Sequence, residues 1–210
     1  EFRRVLFRSM TVEALIVNRF GNSREYADIA VNYELLNGVS LLGGVIEPQP
    51  FKKRAAPGAG VHLHFILPDG LTQGMETENG FDYPAVPDRY LVTRLTIVKS
   101  TPDKPVITHK SWILESSYVG RDNVGSISIP EFSDKENLCR YLGRTYPYEN
   151  TAPPGEYLSK LTVLGAGTPY FAACYQTCRS VFGFHDDLKD VKEGELIYTV
   201  AGLYADRRNS

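Results

Sequence analysis

The stretch Val61–Gly70 reads Val-His-Leu-His-Phe-Ile-Leu-Pro-Asp-Gly, and its alternation constrains the fold more than any other feature. Val61, Leu63, Phe65 and Leu67 fall on one face of a strand; His62, His64 and Ile66 fall on the other. Pro68-Asp69-Gly70 then ends the strand with turn chemistry. Such a strand buries one face and carries two imidazoles on the opposite one.

The same period of two recurs along the chain. Val12, Ala14 and Ile16 alternate within Thr11–Asn18, and Ile29, Val31 and Tyr33 within Asp28–Leu36. Leu41–Ile46 reads as a short strand. Arg89–Lys99 and Val106–Ser116 form the clearest pair, joined by Thr101-Pro102-Asp103-Lys104-Pro105 as a hairpin loop. Leu91, Leu95 and Ile97 are expected to share one face of the first, and Trp112 and Leu114 one face of the second. His109 shares a face with Ile107 and Ile113 and is expected to be packed and hydrogen-bonded. Ser126–Ile129 and Leu196–Tyr204 complete the strands. Glu47–Gly60, with its basic triplet Lys52-Lys53-Arg54, and Leu71–Asp88 read as long surface loops, the second a lid or wall beside the histidine strand.

Three helices are expected later in the chain. Ser133-Asp134-Lys135-Glu136 is a capping-box pattern, followed by Leu138 and Leu142 and a stop at Gly143. Pro154–Leu164 offers an apolar stripe of Tyr157, Leu158 and Leu161. Thr168–Phe182 has Pro169 at the first helical position and Phe171, Cys174 and Cys178 at helical spacing. Strands first and helices later give an α+β class. The expected architecture is a β-rich antiparallel sheet, sandwich- or barrel-like, with a few short helices from the C-terminal half.

Composition narrows the function classes. The chain has 210 residues, 42% of them hydrophobic, enough for a real core. A net charge of −2 argues against a nucleic-acid surface. No uncharged apolar run is long enough for a membrane span. Three cysteines, Cys139, Cys174 and Cys178, make no disulfide framework, which leans towards cytoplasm. Glu1–Ser9 reads as translated adaptor sequence, with Met10 as the expected start. Residues 10–210 then form a single β-rich domain.

Chemistry concentrates at the histidines. His62 and His64 project the same way and can take adjacent positions around a divalent transition metal. A third ligand would come from His185, Asp186 or Asp187, expected in a polar loop after the last helix, or from Asp69. The alternative is a pair of hydrogen-bonded structural histidines on a half-buried strand. Cys174 and Cys178 share a stripe with Phe171 and read as buried thiols. Neither Gly58-Ala59-Gly60 nor Gly165-Ala166-Gly167 completes a phosphate-binding motif. Aromatics around Tyr141–Tyr148 and at Phe81, Tyr83 and Tyr90 either bind sugars or build core.

Three stretches resemble an uncharacterised family of large bacterial proteins with no settled activity. They are Val61–Thr72, Phe81–Arg94 and Phe171–Asp186, and Tyr198–Tyr204 fits with them. The resemblance implies that these blocks open a much longer chain, so that this is an N-terminal fragment. Where the family tends to have Trp, this chain has Phe65 and Leu203. The resemblance implies architecture and transfers no catalytic role. The expected function is therefore a structural or interaction module, whose partner is another protein or downstream domains of the same chain. A metal-binding domain or metal-dependent enzyme using His62 and His64 is the first alternative. A carbohydrate-binding module is the second.

Overall fold

The computed structural model describes residues 10–17, 58–99, 104–120, 127–129, 140–152, 154–164 and 179–204. Among these, antiparallel strands dominate. The strands expected within residues 28–46, the basic triplet, the capping box and all three cysteines lie outside the described residues, as do residues 1–9.

Two sheets carry the structure. The smaller has the order β1 (Thr11–Val17), β2 (Gly60–Ile66), β10 (Gly183–Asp186). The larger follows β11 (Glu195–Leu203), β5 (Arg89–Lys99), β6 (Pro105–Gly120), β8 (Arg140–Pro147), β7 (Ile127–Ile129), with β9 (Glu156–Tyr157) also pairing β6. A hairpin of β3 (Met75–Thr77) and β4 (Gly80–Asp82) and the four-residue helix α1 (Asp69–Thr72) occupy the stretch expected to be a plain loop. Among the described residues the sheets are open and form no barrel.

Alternation on β2 holds as expected. Val61, Leu63 and Phe65 are buried, and Leu67 follows them into the core. They meet Tyr90, Val92, Trp112 and Leu114 of the larger sheet in one cluster with Phe182 and Phe184. Phe65 packs against Tyr90 with ring centroids 5.0 Å apart, and Trp112 against Phe184 at 4.8 Å. Two antiparallel sheets thus pack face to face, as a sandwich requires.

The strand pair β5–β6 is present, but its inward face is the other one. Tyr90, Val92, Arg94 and Thr96 are buried, while Leu91, Leu95 and Ile97 lie on the outer face, partly exposed. The register places Tyr90 opposite Leu114 and Val92 opposite Trp112, so these four share the core side. Apolarity alone pointed the wrong way because the core side includes an arginine. His109, opposite Leu95 on the outer face, is exposed rather than packed.

Two expected helices are corrected. Residues 140–143 belong to β8, and Leu142 is fully buried there. Gly143 is no helix stop; it has φ +76° inside the strand, and an added Cβ would lie 2.2 Å from the Ser180 carbonyl oxygen. Only glycine allows that approach. Residues 154–164 contain the short strand β9 and otherwise irregular chain; its contacts with β6 and the burial of Leu161 replace the helical stripe. Of the third helix only residues 179–182 are described. They form a turn in which Ser180 has φ 66°, and Ser180 N–H donates to Gly183 O.

Candidate functional site

The histidine strand sits at the centre of the smaller sheet, and its neighbours decide what the imidazoles do. His185 lies directly opposite His62 on β10. Their rings stack at 4.0 Å with 8° between planes. His62 Nε2–H donates to the Gly58 carbonyl at 2.7 Å, and His185 Nε2–H to the Ala59 carbonyl at 3.1 Å. Both side chains therefore tether the segment entering β2. Gly60, with φ +135°, allows this closeness: a Cβ there would lie 2.1 Å from Asp186 O. Burial disfavours the His62 imidazolium and lowers its pKa, and the charge of a protonated His185 adds to the effect. His64, opposite Glu13 on β1, is also lowered by burial, with the Glu13 carboxylate 4.0 Å away working against the shift.

His185 and Asp186 belong to strand β10, not to a polar loop after a helix. Successive strand residues point to opposite faces, so the Asp186 carboxylate is on the core side, away from the imidazoles. It meets Arg94 there at 2.6 Å. The structure thus joins His62 to His185, leaves His64 next to Glu13 and turns Asp186 inward. Asp187 pairs with Lys189 at 2.6 Å, and Asp69 begins the short helix α1. Among the described residues, no three His, Cys, Asp or Glu side chains gather in a way that could hold a metal ion.

An open cleft of about 780 Å³ lies at the mouth between the sheets, lined by Lys110, Trp112, His185, Asp187 and Lys189 among others. Tyr198, Arg94 and Lys110 form one cross-strand row behind it. Arg94 donates to Asp186 and, at 2.7 Å, to Asp190; Lys110 reaches Asp190 at 3.1 Å, and the Tyr198 hydroxyl donates to Asp186 at 2.8 Å. Burial opposes the Arg94 charge, but the hydrogen bonds it donates to Asp190 and Asp186 more than offset this and raise its pKa. The hydrogen bond from Arg94 in turn holds Asp190 at about 2. Arg94 and Lys110 also lie over the Trp112 ring, at 5.5 and 5.2 Å. Cations and carboxylates here are matched to one another.

A second ionic cluster occupies one end of the larger sheet's outer face. Glu115 stands opposite both Arg89 and Arg144 in the ladder and is 1% exposed. Arg144 Nε and Nη2 each reach Glu115 Oε2 at 2.6 Å, Arg89 reaches Oε1 at 3.1 Å, and the Tyr157 hydroxyl donates at 3.0 Å. The Arg144 guanidinium lies 4.0 Å from the Tyr118 ring centroid. Burial pushes Tyr146 up to about 12, with Glu115 adding to the shift. Sequence reasoning missed Arg94, Asp190, Glu115 and Arg144. The one available signal was a charge inside an alternating strand; nothing in the sequence named its partner.

The aromatic residues divide. Tyr90 is wholly buried and Leu71 and Val86 pack nearby in the same core, whereas Phe81 and Tyr148 are exposed.

The remaining feature is an edge. Among the described residues, β11 pairs with β5 alone and closes no further ladder. Its nine residues contain one charge, Glu195, at the first position. Ile197 and Leu203 are exposed on its outer face, beside Leu95 and Arg89. Natural edge strands are usually short, or carry lysine or proline that blocks pairing. β11 has neither device.

Comparison with protein-family models, with curated proteins and with solved structures returns no match.

Proposed function

We propose that this chain is an interaction module that takes an extended segment of a protein partner along β11. The observation that carries the reading is the edge itself: nine residues long, nearly uncharged and without proline. Strand addition to such an edge gains main-chain hydrogen bonds, while side chains on alternate positions set specificity. The outer face adds apolar contact, since Ile97, Ile107, Leu95 and Ile197 line one end of it. The mutual neutralisation of Arg94, Lys110, Asp186 and Asp190 supports a scaffolding role for the cleft rather than a reactive one. The resemblance to the start of large bacterial proteins fits a module that works as part of a longer chain.

The test is selection of random nine-residue peptides displayed against the chain. Thr199 bonds inward to Thr93, whereas Leu196, Tyr198, Val200 and Gly202 turn their N–H groups to the free edge. Binders are expected to protect those outward amides from hydrogen exchange and to lose at least tenfold in affinity for a Val200→Pro variant. Proline there removes an edge donor and leaves the ladder to β5 intact, so the variant should fold. Binders that ignore the substitution, or no binders at all, would overturn the reading.

A further inference from the structure

Resting on that reading, we infer that the occupant of the β11 edge is β11 of a second copy of this chain. An antiparallel two-fold pairing that uses all nine residues, Glu195 to Leu203, places its axis at the middle residue, Thr199. Thr199 then faces its own copy, and a Thr–Thr cross-strand pair is favourable. Ile197 meets Ala201 of the other copy and Glu195 meets Leu203. On the inner side Tyr198 meets Val200, and Leu196 meets Gly202. No position opposes like charges. The two Glu195 side chains lie at opposite ends, ~27 Å apart at the usual rise per residue, far beyond the screening length.

The other described edges fit self-pairing less well. β10 has four residues. β1 is seven residues long but carries Glu13 one position from its centre, Ala14. In a two-fold pairing of β1, two Glu13 carboxylates would lie on a diagonal ~7–8 Å apart, a repulsive arrangement. β11 alone combines length with a charge placed where the symmetry separates it. Pairing also aligns the outer face of one larger sheet with that of its copy, with the Thr199 pair and the Thr93 and Ser111 rows beside it at the axis.

Sedimentation equilibrium of the whole chain tests this. The mass should rise with concentration from 23.5 kDa towards twice that value. Thr199→Lys and Thr199→Glu should each remain monomeric, because like charges face each other at the axis. An equimolar mixture of the two should recover the dimer, with opposite charges paired. Circular dichroism and thermal unfolding check that each variant folds. Failure of the mixture to associate, or dimerisation of Thr199→Lys as strong as the parent's, overturns the inference. So does a parent chain monomeric at every concentration. If that monomer still binds selected peptides along β11, the interaction reading survives with another occupant. If it binds none, both fall.

Discussion

At the scale of the residue, the most consequential side chain is Asp186. Its carboxylate accepts hydrogen bonds from Arg94, Tyr198 and the Leu188 amide, and it is 4% exposed. Asp186→Ala leaves a buried arginine with only Asp190 to answer it, and is predicted to cost about 3–5 kcal/mol in denaturant unfolding. A loss under about 1 kcal/mol would show that the pair is dispensable. His62 makes a prediction in pH. The unfolded chain binds a proton on this side chain near pH 6.5, whereas burial keeps the folded one neutral to lower pH. Unfolding therefore takes up protons below 6.5, and the contribution to stability, full above that pH, is lost as pH falls through the folded value. His64 acts in the same direction. Denaturation midpoints measured from pH 8 to 5 should fall below 6.5, less steeply in His62→Gln. Equal slopes in both proteins would remove His62 from the account.

Elements show how local signals were overridden. Leu138 and Leu142 stand at helical spacing, and Ser133 is a good cap; yet residues 140–147 pair with β6 and β7. What decides is the close approach of the 180–181 turn to Gly143, a contact distant in sequence. Gly143→Ala is predicted to destabilise by at least about 1–3 kcal/mol, because the residue has positive φ and its Cβ would meet backbone. Gly80, also at positive φ (+115°) but with open space around it, should tolerate alanine with a smaller loss. Thermal unfolding of the two variants compares them; equal effects would remove the steric part of the argument. On β5 the error was of face rather than type. Leu91, Leu95 and Ile97 are the more apolar set, but Arg94 is drawn inward by Asp186 from the other sheet.

For the whole molecule, the packing of two sheets predicts a cooperative loss. Phe184 on β10 touches Trp112 on β6, so Phe184→Ala removes contacts from both layers. The expected cost is about 3–5 kcal/mol, with amide exchange speeding up in β2 and β6 together. Exchange confined to β10 would show that the sheets open independently. Acid should act on the same interface. Asp190 is held at about 2 by Arg94, so its contribution is present above the ordinary carboxylate value and disappears as pH falls towards 2.

The sequence by itself determined the presence of the strands β1, β2, β5, β6 and β11 and the antiparallel, β-rich character of the described residues; alternation also predicted the buried face on β2, but not on β1, where Ile16 is exposed and Val17 buried, or on β5. Period-two burial is a local property and needs no knowledge of partners. It also showed that the histidines of β2 share a face. Tertiary structure decided the rest. It paired His62 with His185 from 123 positions away and turned Asp186 from the imidazoles to Arg94. It set the inward face of β5 and made strand of residues read as helix. Each of these depends on contacts between segments far apart in the chain, where a buried charge finds its counter-charge or a glycine meets a carbonyl. No spacing within a single stretch encodes which distant group will be there.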